Sequence, residues 1–239
     1  VRREFSESQP ELMDLPHQDE EALRQDLIQL SGLNRTFGAR RAVTALFHKL
    51  TGGMKEIVLI DLASGYGDHG RNLIARARTR DQDLTILALD YQFKTLQIAR
   101  RATPPGQKMF FIQADARQLP IRSHGADFAL CSLALHHFSE EDAHTVLQEM
   151  KRAGRLGYVC VDLVRSRLAA FGIALLTTFI VRDPMVRHDA RLSIRRAFTA
   201  AEMKNLARRV GWTGLRQIKF FWFQQAILGR TVAPENGSL

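Results

Sequence analysis

Apolar and polar positions along this chain switch between two periods. Short apolar runs stand at 57–60, 84–89, 109–113, 126–132 and 157–163, the first of them rich in β-branched residues. The first reads as a strand buried on both faces, as in the middle of a parallel sheet, and the other four read as further strands. Helical spacing fills the intervals, at Arg71 to Ala77, at 93–101 before Pro104-Pro105-Gly106, and at 140–153. Two helices are predicted ahead of the first strand. One has Leu23, Leu27, Ile28 and Leu30 in register, the other Ala42, Val43, Leu46 and Phe47, with Gly52-Gly53 behind it. After the fifth strand comes a fourteen-residue apolar run, Leu168 to Val181. A bilayer span needs about 20 residues, so the run predicts a buried or interfacial helix. A basic connector, 182–196, leads to a helix capped by Thr199 and ended by Gly211, and 215–221 and 223–228 read as two closing strands. Residues 1–18 are polar, with Pro10 and Pro16, and read as loosely held.

The pattern predicts an α/β fold. Its divisions are a flexible segment at 1–18, a helical cap at 19–53, one domain at 54–230 with an acceptor-side helix and connector at 165–198, and a tail at 231–239. A chain of 239 residues suffices for one such core.

The most informative stretch is the junction after the first strand. The strand ends in Asp61, and Ser64-Gly65-Tyr66-Gly67 follows before the next helix. Glycines there allow a tight turn and close approach to a ligand. The second strand ends in Asp90, and an acid about 20 residues past a glycine loop is placed to accept from ribose hydroxyls. Gly65, Gly67 and Gly70 spell a dinucleotide fingerprint, so a nicotinamide cofactor and an oxidoreductase are one reading. Asp61 weighs against it: a pyrophosphate would meet a negative charge, whereas a cationic amino-acid end would be welcome.

The segment Asp61-Leu62-Ala63-Ser64-Gly65-Tyr66-Gly67 resembles motif I of the class I S-adenosylmethionine (SAM) methyltransferases. Ala63 departs from it, standing where the family usually has its first glycine. The resemblance covers about 55–230 and implies a Rossmann-like, mostly parallel seven-stranded sheet with helices on both faces and a C-terminal antiparallel strand. It implies SAM as cofactor, with S-adenosylhomocysteine as product. Asp61, Ala63, Ser64, Gly65 and Gly67 would lie at the loop, Asp90 and Tyr91 at the ribose, and Asp115 and Ala116 at the adenine. Ser132 ends the fourth strand, and Asn34, between the cap helices, could reach the cofactor's carboxylate.

Net charge is +9, so a nucleic-acid or anionic-membrane partner has to be weighed. The arginines are scattered, however, and read as a solvated surface. Nucleic-acid methyltransferases often carry Asn/Asp-Pro-Pro-Tyr after the fourth strand, where this chain has Ser132-Leu133-Ala134-Leu135, so no nucleic acid is expected. The two cysteines, Cys131 and Cys160, fall in core strands, no cluster has zinc spacing, and no metal is expected. The polar start lacks a secretory signal. The expected setting is cytoplasmic, with a small-molecule acceptor and at most weak contact with a membrane surface.

His136 and His137 follow the fourth strand and Asp162 closes the fifth. Neutral histidine suits deprotonation of an alcohol or phenol. The arrangement resembles the small-molecule O-methyltransferases of natural-product and quinone pathways, which makes His137, His136 and Asp162 the candidate catalytic residues, with His137 ahead on family pattern. His188, Asp189, Arg195 and Trp222 are candidates for holding the acceptor. C-methylation of an activated ring, which needs less of a base, and a non-catalytic SAM- or nucleic-acid-binding module are the other readings.

Overall fold

The computed structural model describes residues 2–6, 8–15, 19–179, 183–220 and 223–231. Seven strands form one sheet: β1 (Glu56–Leu62), β2 (Asp83–Asp90), β3 (Met109–Gln113), β4 (Ala126–Ser132), β5 (Gly154–Leu163), β6 (Thr213–Phe220) and β7 (Gln224–Arg230). Their order is β3-β2-β1-β4-β5-β7-β6, with β1 to β5 parallel and β7 antiparallel to both its neighbours. All five apolar runs became parallel strands, and the closing pair is present.

Helices α1 (Glu20–Thr36) and α2 (Ala39–Thr51) precede the sheet; α3 (Asp68–Arg78), α4 (Phe93–Arg101) and α5 (Glu140–Ala153) connect its parallel strands. Beyond β5 come α6 (Arg167–Phe179), α7 (Pro184–Arg196) and α8 (Ala200–Arg209). One face of the sheet packs Ile57, Leu59, Ile86 and Val161 against Val43, Phe47, Leu73 and Ile74 of α2 and α3. The other packs Ile60, Leu62, Cys131 and Tyr158 against Val146 and Leu147 of α5 and Met203 and Leu206 of α8. Among the described residues no helix is long and apolar enough to cross a membrane. Leu168, Phe171, Leu175 and Phe179 give α6 an exposed apolar face.

Two expectations are corrected. The basic connector is a helix, α7, started by the Asp183 carboxylate on the amides of Met185 and Val186 with Pro184 in its first turn. Its buried face mixes Val186, Leu192 and Ile194 with Asp189, Ser193 and Arg196, which dilutes the apolar spacing that reveals a helix. The amino-terminal segment, expected to be loosely held, lies against α7 in its described part. The amides of Leu12 and Met13 donate to the Asp189 carboxylate at 2.9 and 3.1 Å. Arg196 donates to the carbonyls of Ser6 and Gln9. Arg3 donates to the carbonyls of Arg196, His136 and Phe138 and lies 3.8 Å over the Phe198 ring.

At the end of β1 the chain turns through Ala63 with φ +50°. That is left-handed territory, costing a residue with a Cβ about 1–2 kcal/mol. The turn the family makes with glycine is therefore made here with alanine under strain. Gly67 is constrained differently: besides its φ of +72°, an added Cβ would lie 2.8 Å from the Met109 methyl on β3, so this glycine seats α3 on the sheet. Replacing Ala63→Gly relieves the strain but loosens the unfolded chain, which offsets part of the gain. We expect a net gain of up to ~1 kcal/mol, read as a rise of about 2–4 °C in melting temperature by calorimetry; a lower melting temperature would refute strain at this turn.

Candidate cofactor and acceptor site

A large cavity opens at the carboxyl edge of the parallel strands, the usual ligand position in open α/β sheets. Its volume is about 850 Å³, toward the upper end of the ~300–1,000 Å³ typical of small-ligand sites. The floor is built by the strand ends. Ser64 N–H donates to the Leu89 carbonyl at 2.8 Å, which pins the loop to β2. The two Asp90 oxygens accept from the amides of Gly65 at 2.8 Å and Gln92 at 2.9 Å. Gly65, at φ +52°, has open space where a Cβ would be. Ala63, Ser64, Gly65, Asp90, Tyr91, Asp115, Ala116, Ser132 and Asn34 all line the cavity, so the structure brings together nearly all the residues expected around a cofactor.

Two of the expected residues stand elsewhere. Gly67 is outside the lining, and Asp61 lies beneath the loop, 2% exposed. Its Oδ2 has no hydrogen-bond partner among the described residues, and neither do Ser64 Oγ, Asp68 Oδ2 and Ser132 Oγ. Burial, together with the charges of Asp68 and Asp90, pushes the Asp61 carboxyl up to about 8. Asp115 is not free: Arg117 clamps its carboxylate through Nε and a terminal nitrogen. This fork holds the Asp115 carboxyl below its ordinary pKa and leaves only its remaining lone pairs for a ligand.

On the opposite wall stand the histidines. His136 and His137 sit on a 3₁₀ turn, Leu135–His137, behind β4. Asp162 orients His136, not His137: the His136 Nδ1 to Asp162 Oδ1 distance is 2.6 Å. His136 Nε2 faces Glu11 Oε1 at 3.6 Å, and His137 lies between Glu11 Oε2 at 3.7 Å and Asp14 Oδ2 at 3.1 Å. Burial disfavours a charged His136 ring, but Asp162 and Glu11 overcome it and lift the ring to about 10. His137 is raised as well: burial opposes this, while Glu11 and Asp14 drive it. Burial works against an ionised Glu11, yet His137, His136 and Ser193 hold it down at about 2. The carboxylates around His136 thus favour its charged form.

The acceptor-side residues fare unevenly. Asp189 lines the cavity, but its carboxylate is spent on the amides of Leu12 and Met13 and on His188 Nδ1 at 3.0 Å. His188 and Arg195 are outside the lining, half exposed, and Arg195 pairs with Glu4 at 3.6 Å. Trp222 lies outside the described residues. In their place Leu23, Leu27, Phe37, Ile173, Leu176, Val186 and Phe223 give the cavity its apolar half. Sequence reasoning missed Glu11, Asp14, Asp68 and His69. His69, in the first turn of α3, lines the cavity with both ring nitrogens unpartnered among the described residues. Asp68 and His69 could have been found from their place after the glycine loop; Glu11 and Asp14 carry no local signal.

A sheet of this order with this cleft is the class I methyltransferase fold. A family model described as "Methyltransferase domain" matches residues 59–157, so this stretch is a methyltransferase domain, and the cofactor of its class is SAM. No curated protein matches the sequence. Among solved structures, a SAM-dependent methyltransferase from Aquifex aeolicus is similar at 15% identity and TM-score 0.63, over 87% of this chain and 98% of that one. Human N-acetylserotonin methyltransferase, in complex with SAM, is similar at 15% identity and TM-score 0.66. That match covers 90% of this chain and 57% of the human one. Magnesium protoporphyrin IX methyltransferase from Synechocystis, with bound S-adenosylhomocysteine, follows at 13% identity and TM-score 0.59, over 82% and 84%. At these identities the likeness establishes the fold alone. The nicotinamide reading of the glycine loop gives way to the methyltransferase one.

The residues present fit SAM. A buried acid with an unpartnered oxygen, flanked by two further acids, calls for a cation, and SAM carries an ammonium and a sulfonium. The open space at Gly65 and the unpartnered Ser64 and Ser132 hydroxyls supply a cradle and polar partners. Asp61, raised far above its ordinary 3.8, stabilises the ligand-free fold below about pH 4, and this contribution is lost as pH rises toward 8. A bound ammonium reverses the preference. We therefore expect SAM binding at pH 7 to release close to one proton, seen by calorimetry in buffers of different ionisation enthalpy and absent in Asp61→Asn. Buffer-independent heats would remove Asp61 from the site. Asp90→Ala should weaken SAM by ~1.5–3 kcal/mol, the worth of a charged hydrogen bond; an unchanged dissociation constant would exclude the ribose role.

Proposed function

We propose that this chain is a SAM-dependent methyltransferase that methylates a small, largely apolar acceptor, chiefly at a hydroxyl or phenol oxygen, in secondary-metabolite or quinone biosynthesis. The observation that carries this reading is the division of one cavity: a polar, acidic floor on the glycine-loop side and an apolar wall from α1, α6 and α7, with the histidine pair between them. The amino-terminal segment lies over the acceptor side, which favours a small molecule over a macromolecule.

SAM supplies the methyl group on a positively charged sulfur. The chain's own residues position and shield. Ser132 and Leu133, the latter at φ +55° with its amide on the Val161 carbonyl at 2.7 Å, form a rigid shelf beside the histidines. Backbone strain of this kind clusters at functional sites. Leu23, Phe37, Ile173 and Phe223 exclude water from the acceptor. His137, the more accessible ring of the pair, is where the acceptor's proton is handled, with His136 fixed by Asp162 beside it. The pairing of His136 on both faces favours one second reading, methylation of an activated ring carbon, which asks less of a base.

The exposed apolar face of α6 supports weak contact with a membrane surface, and the buried, unlinked thiols of Cys131 and Cys160 support a reducing, cytoplasmic setting. Co-sedimentation with anionic vesicles, reduced in Phe171→Ser, would bear out the surface contact.

The test of function is formation of S-adenosylhomocysteine with panels of apolar phenols, alcohols and activated rings. His137→Ala should keep SAM affinity and lose ~10²–10⁴ in turnover, the range of a positioned proton acceptor. Asp162→Asn should lose less, since it acts only through His136. Turnover near wild type in both His137→Ala and His136→Ala would assign the reaction to proximity alone and favour the carbon acceptor.

A further inference from the structure

Glu11, His136 and His137 meet in the cavity, with one ligand atom from each lying within 4.8 Å of the others. The facing atoms are Glu11 Oε1 and His136 Nε2, 3.6 Å apart, and Glu11 Oε2 and His137 Nε2, 3.7 Å apart. These separations exceed the ~2.7–3.2 Å of a hydrogen bond. They are close to the ~3.4 Å edge of a tetrahedron of ligands drawn around an ion at about 2.0–2.1 Å.

The far side of each ring is held as a metal ligand's would be. Asp162 Oδ1 lies 2.6 Å from His136 Nδ1, and Asp14 Oδ2 lies 3.1 Å from His137 Nδ1. A carboxylate on one ring nitrogen holds the proton there, so a metal binding at the other nitrogen displaces only that nitrogen's proton, which is how metal-bound imidazoles are supported. Here both rings turn that second nitrogen toward Glu11. The third ligand is held too. Asp189 grips the amides next to Glu11, and Ser193 Oγ donates to Glu11 itself.

All three side chains line the cavity that also contains Ser132 and Leu133, so an ion held by them keeps open positions toward the acceptor. Two imidazoles and one carboxylate with open positions suit zinc or ferrous iron, whereas magnesium and calcium prefer oxygen ligands throughout. We propose that Glu11, His136 and His137 form a site for a divalent transition metal of the zinc–iron class, with open coordination positions that take the acceptor's oxygen. The site deepens the methyltransferase reading, His137 then acting on the acceptor's proton through the ion it holds rather than by taking it, and rests on that reading only for the identity of the oxygen ligand.

The experiment titrates the full chain, stripped by a chelator and saturated with S-adenosylhomocysteine, with Zn²⁺ by calorimetry and with Co²⁺ by visible absorption. One equivalent should bind, with the intense bands of four- or five-coordinate cobalt and a rise in melting temperature. Glu11→Gln and His137→Ala should each weaken binding at least ~100-fold, and Asp162→Asn and Asp14→Asn by ~10–100-fold. Absence of saturable binding, or wild-type affinity in these variants, would overturn the proposal. S-adenosylhomocysteine affinity, measured on every variant, reports folding. Its loss in the wild-type chain would sink the cofactor reading, whereas its retention without metal binding sinks the metal site alone.

Discussion

Asp61, Asp90 and Asp162 close three strands at one edge of the sheet, where each carboxylate is largely withdrawn from water. Removing a charge from water is costly unless it is paired or hydrogen-bonded, and the chain answers this three ways. Asp90 takes two backbone amides and thereby fixes the glycine loop. Asp162 takes an imidazole and fixes the turn behind β4. Asp61 keeps an unpartnered oxygen and remains protonated to about pH 8. The first two hold the walls of the cleft in place, and the third leaves a demand for positive charge that a ligand can meet.

The same accounting explains part of the excess of arginine. The scattered basic residues read as a solvated surface, yet Arg165 and Arg196 are buried, and Arg3 is partly so. Arg165 donates to the Ala197 carbonyl and pairs with Glu202. Together with Arg3 and Arg196, these side chains tie irregular backbone around the acceptor side through its carbonyls. A guanidinium with five donors can satisfy several such groups at once. Some of the positive charge therefore acts as internal bracing.

The sheet was legible in the sequence because its elements show in local pattern: short apolar runs, most of them followed closely by an acid, with glycines at the first crossover. Most of the cofactor side was legible for the same reason, since Ser64, Gly65, Asp90, Asp115 and Ser132 each follow a strand that the pattern finds. Gly67 and Asp61 stand at the expected loop but outside the cavity's lining, and sequence does not distinguish a glycine that admits a ligand from one that admits Met109. The acceptor side was poorly legible. Its helix α7 buries polar residues, and its cover is an aperiodic polar segment held by backbone hydrogen bonds. Glu11 meets the histidines only through tertiary structure, so no spacing announces it.

The anchoring of that segment also has a temporal side. The amides of Leu12 and Met13 find their acceptor 177 and 176 residues further along the chain. During synthesis from the amino end, the strands that build the floor emerge well before α7 does. Contacts so distant in sequence form late, after shorter loops have closed. The nascent protein therefore passes through a stage in which the floor is assembled and its cover has nowhere to dock, leaving the acceptor side open to solvent until α7 has emerged.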